Sequence, residues 1–234
     1  MADYIDKNIL CQAYIHVELP EGTTPERLIE IKKHLEEFAT SRGKFFVYPE
    51  VDVSVEFRDG SLKAYISIAG FIIIAIQGYG GFREGIDYLY TDIKRLADSL
   101  VSESLFMTKA KHRCVVRTEA RTGIIGSLKV LVDDMNNLEA SIGQIPADEA
   151  ARRIKRIKDD AEALLTNVRS EDDAKNIEDE ISDFATKLPD RWPSPTDRRP
   201  ADSVIIAYND CLLELRKNFK KDKFRKVYPP PPKE

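Results

Sequence analysis

Val51-Asp-Val-Ser-Val-Glu-Phe-Arg58 and Leu62-Lys-Ala-Tyr-Ile-Ser-Ile68 are two runs with apolar residues at every second position, joined across Asp59-Gly60. A side-chain period of two on both sides of an Asp-Gly turn predicts an antiparallel hairpin with one buried face. The expected buried set is Val53, Val55, Leu62, Ala64 and Ile66.

Past Ser67 the alternation ends. No charge occurs from Ala64 through Phe82, in a protein of which 32% is charged. A membrane-spanning helix needs about 20 predominantly apolar residues. Gln77 with Gly70, Gly78, Gly80 and Gly81 leaves only Ile66 to Ile76 strongly apolar. The run therefore reads as buried core, as a contact with another subunit, or as a segment inserted in or lying on a membrane. Its expected interaction residues are Ile72, Ile73, Ile74, Ile76, Tyr79 and Phe82. The four isoleucines are expected to be covered at least partly by another subunit or partner, because one short hairpin and helix offer little surface to bury them.

Upstream, Leu10 to Leu19 reads as a strand. Thr24-Pro25-Glu26 then supplies a helix start, with Thr24 as N-cap and Pro25 at the first helical position. Leu28, Ile31, Leu35 and Phe38 share a face of this helix, and Gly43 is expected to stop it. Downstream, from Phe82 to Phe219, the apolar period is expected to stay near three and a half. Seams run through Ile86 to Leu100, Ile124 to Ile142, Ala150 to Val168, Ala174 to Leu188 with Ser170 as cap, and Val204 to Phe219. Leu188 to Pro200 is a proline-rich strap whose Trp192 is expected to pack on the bundle. The expected class is α+β, an N-terminal βαββ unit with an antiparallel hairpin followed by a larger C-terminal helical bundle. The expected divisions are 1–81, a helical bundle over 82–188, a proline-rich loop over 189–200, a final helix with a basic end over 201–228, and an unstructured polyproline tail over 229–234.

The 234 residues carry a net charge of −4, so contact with nucleic acid or an anionic membrane has to come from a local patch. Cys11, Cys114 and Cys211 are far apart and form no metal-ligand spacing, which points to a reducing compartment. Met1 to Asn8 has no basic stretch followed by an apolar one, so the expected location is cytoplasmic, with peripheral membrane attachment as the alternative.

Two basic patches stand out. Lys109, Arg113, Arg117 and Arg121 recur every four residues and would form a cationic stripe if the segment from Met107 were helical. Lys220, Lys221, Lys223, Arg225 and Lys226 lie in a basic tail with Phe219, Phe224 and Tyr228 interleaved, a composition suited to anionic lipid, nucleic acid or a protein partner. Gly78-Tyr-Gly-Gly-Phe-Arg-Glu-Gly85 precedes a helix, but its spacing fits neither the dinucleotide nor the Walker pattern and reads as a close-packing connection. Arg83 and Asp87 read as a surface pair. His16, His34 and His112 have no partner at a catalytic spacing, and Asp133-Asp134 and Asp172-Asp173 point about 100° apart on a helix. No catalytic residue, metal ligand or cofactor is expected. The functional expectation is a non-enzymatic protein-interaction or self-assembly protein, with a protein partner or a second copy as ligand. The alternative is a membrane-active protein using 64–82 and the basic tail, and nucleic acid is a further partner class.

Overall fold

The computed structural model describes residues 9–20, 22–47, 51–58, 62–76, 80–195 and 201–220, with Ile74 described by its backbone alone. The chain begins β1 (Ile9–Val17), α1 (Pro25–Val47), β2 (Val51–Arg58) and β3 (Leu62–Gly70). A short α2 (Ile72–Ile76) and the long α3 (Phe82–Thr108) follow, and then β4 (Val115–Arg121). The strands form one sheet in the order β2-β3-β1-β4, with every neighbouring pair antiparallel. Each of the two helical crossovers, through α1 and through α3, thus skips one intervening strand, which is the split β-α-β arrangement. A C-terminal helical bundle follows: α4 (Gly123–Ala140), α5 (Ala147–Leu165), α6 (Glu171–Lys187) and α7 (Asp202–Asn218).

The hairpin forms as its alternation requires. Val55 stands opposite Ile66 and Val53 opposite Ile68, and Leu62, Ala64, Ile66 and Ile68 are all buried. Ala13, Ile15 and Val17 of β1 join the same face, which α1 covers with Ile31, Leu35 and Ala39 and α3 with Ile86, Leu89, Ile93, Leu96 and Leu100. Cys11 is fully buried in β1, and burial pushes its thiol up to about 12. Thr24 caps α1 as expected, its Oγ1 accepting from the Arg27 N–H at 3.3 Å.

Gly43 does not stop α1, which continues to Val47. A Cβ at position 43 would lie 3.0 Å from Val51 Cγ2 and 3.5 Å from Ile68 Cδ1, so the glycine lets the helix pass close to the sheet here. Its weak helix propensity, about 1 kcal/mol below alanine, is outweighed by that packing. The expected unbroken helical period after Phe82 is likewise interrupted by β4. The free edge of β1 captures a segment whose Val115, Val116 and Thr118 are β-branched.

The uncharged run is divided between two kinds of structure. Its first part completes β3 as far as Gly70, and its second part turns at Phe71 into the five-residue α2. Among the described residues no helix is long and apolar enough to cross a membrane. Ile72 and Ile76 are buried by this chain itself, so covering them requires no second subunit; Ile73 and Phe82 are half-buried. Tyr79 and the Ile74 side chain lie outside the described residues.

What holds α2 is a carboxylate about a hundred positions away in sequence. Asp173, in the first turn of α6, accepts the Ile72 N–H at 3.0 Å on Oδ2 and the Ile73 N–H at 2.8 Å on Oδ1. These are two of the donors that a helix start leaves without an intrahelical partner. Burial raises the Asp173 carboxyl above the ordinary carboxylate range; the bonds from Ile73 and Ile72 pull it back, and neighbouring Asp172 adds to the rise.

Two compact units are distinguished by their internal contacts, one of Met1–Asn137 with Ile157–Asn176 and the other of Leu138–Arg156 with Ile177–Glu234. In the second, the proline-rich strap is held by polar bonds at the ends of large side chains. Trp192 packs on the bundle, its Nε1 donating to Ile145 O at 2.8 Å and its ring 5.5 Å from that of Tyr208. The Tyr208 hydroxyl donates to Pro189 O at 2.6 Å, and burial pushes this phenol up to about 12. Arg216 donates to Ala185 O and Leu188 O and pairs with Asp190 at 2.6 Å.

Val55→Asp is expected to unfold the sheet unit, since an unpaired carboxylate opposite buried Ile66 costs several kcal/mol; an unchanged thermal midpoint would reject the register. Asp173→Ala is expected to lower stability by about 2–4 kcal/mol through two stranded N–H groups, and Asp173→Asn by less. Urea midpoints measure both, and equal stability of all three chains would mean that water replaces the carboxylate.

Candidate binding surface on the sheet

The side chains that alternate with the core residues form the opposite face of the sheet, and the strand register sorts them into rows. Arg58 of β2, Lys63 of β3, His16 of β1 and Arg117 of β4 stand in line across all four strands. The next row reads Glu56, Tyr65, Tyr14, Glu119, and the one after it Ser54, Ser67, Gln12, Arg121. Asp52, opposite Ala69, marks the corner farthest from the basic row.

The middle row is an aromatic shelf. The Tyr14 and Tyr65 rings are 4.8 Å apart, tilted by 42°. Each also carries a guanidinium: Arg58 lies 4.6 Å from the Tyr65 centroid and Arg121 lies 5.1 Å from that of Tyr14. Arg121 is fixed further by Glu119 Oε2 at 2.5 Å and Gln12 Oε1 at 2.7 Å, and Gln12 Nε2 donates to Ser67 Oγ at 2.8 Å. Arg117 also pairs with Glu119. Burial raises the Tyr14 phenol, with Tyr65 beside it adding to the rise. The centre of the face is thus tied together by ring and hydrogen-bond contacts, while the outer cations stay accessible: the Arg58 and Arg117 side chains are 59% and 66% exposed.

The basic row carries a cost. Like charges directly opposite one another on neighbouring strands are destabilising, and Arg58 faces Lys63. Glu56 offsets Arg58 through a contact at 3.4 Å, but Lys63 has no ion-pair partner among the described residues. Charges on β2 and β4 also guard the exposed sheet edges against pairing with another strand. That role explains Arg117 and Glu119 but not Lys63, which sits on an inner strand.

The expected helical stripe is corrected by this arrangement. Lys109 is the left-handed C-cap of α3 with φ 51°, Arg113 lies in the 3-10 turn His112–Cys114, and Arg117 and Arg121 are in β4. A spacing of four satisfies both a helix face and a strand face, since four is a multiple of two, so Arg117 and Arg121 still share one surface. Arg58, Lys63, His16, Tyr14 and Tyr65 were missed as site residues because they come from three other strands. The alternation of β2 and β3 was the signal available for Arg58, Lys63 and Tyr65.

Other expectations resolve separately. Lys220 is exposed just beyond α7, whereas Lys221, Lys223, Arg225 and Lys226 lie outside the described residues. In the glycine segment, a Cβ on Gly85 would lie 3.0 Å from Ile76 Cβ, so this glycine lets α2 dock on α3. Of the expected surface pair, Arg83 donates to Asn136 Oδ1 at 2.6 Å and Asp87 meets Lys129 at 3.1 Å. His34 bonds Glu103 at 2.6 Å, linking α1 to α3. A concavity of about 260 Å³ between α4 and α5, lined by Val130, Leu131, Ala163 and Leu164 among others, is smaller than the roughly 300 Å³ at which small-molecule pockets begin. Among the described residues no three His, Cys, Asp or Glu side chains converge as a metal site.

Lys63→Thr is expected to raise the urea midpoint of the free protein by the equivalent of about 0.2–1 kcal/mol, the scale of cross-strand charge effects. A loss of stability in that variant would show that Lys63 serves the fold instead.

Comparison with family models, with curated proteins and with solved structures returned no match for this chain.

Proposed function

We propose that the protein is a non-enzymatic interaction protein whose docking surface is the polar face of the sheet and whose partner is polyanionic. The observation that carries this reading is the row Arg58, Lys63, His16 and Arg117, which crosses every strand. Arg58 and Lys63, directly opposed in this row, repel one another in the free chain. A bound anion converts that repulsion into attraction, and the gain is local, so the net charge of −4 does not oppose it beyond a Debye length of about 8 Å at physiological salt. Glu119 partly neutralises Arg117 and Glu56 partly neutralises Arg58, which leaves Lys63 as the cation of the row without an ion-pair partner among the described residues.

Anisotropy of labelled inorganic polyphosphate with the full-length chain tests this. Binding is expected to fall steeply between about 50 mM and about 200 mM salt, as counterion release requires. The combined variant Arg58→Gln, Lys63→Gln, Arg117→Gln is expected to lose about tenfold or more, while Lys109→Gln with Arg113→Gln keeps wild-type binding. No binding by the wild type at low salt, or equal losses in the two combined variants, would reject the sheet face as the docking surface.

A further inference from the structure

Resting on that docking surface, we infer that the polyanion is a single-stranded nucleic acid, its phosphates along the basic row and its bases turned onto the tyrosine shelf. A polyanion as such needs only the cations. The face offers more: immediately beside the basic row, two residues along each strand and so about 7 Å away, lie the Tyr65 and Tyr14 rings. The outer surfaces of this shelf are guanidinium planes, Arg58 over Tyr65 and Arg121 over Tyr14. Aromatic rings and arginine planes are the two protein surfaces on which unpaired bases stack.

The acids of the tyrosine row give the strand a direction across the face. Glu56 and Glu119 close the two ends of that row. They repel phosphate from the shelf and leave the Arg58, Lys63 and Arg117 line as the path for the backbone. A base that leans away from this line meets Tyr65 first, because Tyr65 is partly exposed whereas Tyr14 is 8% exposed beneath its neighbours. The adjoining row adds Ser54, which is exposed, and Ser67 as hydrogen-bonding groups within reach of a base edge. A duplex keeps its bases stacked on each other and presents only phosphates and groove edges, so it cannot use the shelf. An acidic peptide would engage the basic row but has no planar group for the rings.

The test compares four labelled ligands against the full-length chain at one salt concentration: a short poly-uridine oligonucleotide, the matching RNA duplex, inorganic polyphosphate and poly-glutamate. The single strand is expected to bind tightest. Tyr65→Leu is expected to weaken the single strand by about fivefold or more, the lower end of one base–aromatic stack, and to leave polyphosphate binding unchanged. Tyr65→Phe, which keeps the ring, is expected to retain single-strand binding, and its urea midpoint reports whether the position tolerates change. If polyphosphate binds as tightly as the oligonucleotide and Tyr65→Leu affects neither, the nucleic-acid inference is overturned while polyanion docking stands. If poly-glutamate binds tightest, the partner is an acidic protein segment and the inference is overturned in that direction. If none of the four binds, the docking surface itself is rejected.

Discussion

Strand β1 is held between β3, which pairs with it from Ile9 to Val17, and β4, which pairs with it from Gln12 to Val17, and the N-terminal unit depends on that pairing. Because side chains alternate at every residue, the register that buries Ala13, Ile15 and Val17 also sends Gln12, Tyr14 and His16 to the other face. A one-residue slip would exchange the two sets, placing a tyrosine and a histidine against α1 and α3 and exposing the aliphatic side chains. The hydrophobic requirement on one face therefore sets the row structure of the other. The alignment of Arg58, Lys63, His16 and Arg117 needs no contact of its own to maintain it; core packing behind the sheet enforces it.

The same economy governs the apolar run. Its side chains could not keep alternating between core and solvent, because the segment from Ile68 onward is apolar on both sides. The chain resolves this by ending the strand at Gly70 and turning the remainder into a short helix with its own contacts. So short a helix has no cooperative stability in isolation. It persists because Gly85 lets it approach α3 and because Asp173 takes the N–H groups of Ile72 and Ile73. Ionising a buried carboxyl costs stability that two N–H bonds only partly return, which is the sense of its raised pKa. The tether thus ties the start of α6 to the end of β3, joining distant parts of the sequence by a polar bond in apolar surroundings.

The polar face of the sheet sets Arg58 directly opposite Lys63. Opposed like charges cost the free protein stability, whereas alternating Glu and Lys pairs would have protected the edges without that repulsion. Glu119, shared by Arg117 and Arg121, shows such compensation at work on one side, whereas among the described residues Lys63 has no ion-pair partner.

Periodicity alone determined a good part of this protein. The β2–β3 hairpin, the capped start of α1, the long helix from Phe82 and the four helices of the bundle follow from local patterns of two or three and a half, with Thr24 and Ser170 as caps. Trp192 was legible as a residue that had to find cover. Tertiary structure decided whatever depended on a partner distant in sequence. It carried α1 past Gly43, because the sheet lay within contact distance of that position. It made a strand of Val115–Arg121, because β1 had a free edge and because a four-residue spacing suits either conformation. It assigned the buried Asp173 to two backbone N–H groups, where sequence shows only one of two adjacent acids. The candidate site belongs to this second class, since its rows take one residue from each of four strands and no local pattern can state which strands will be neighbours.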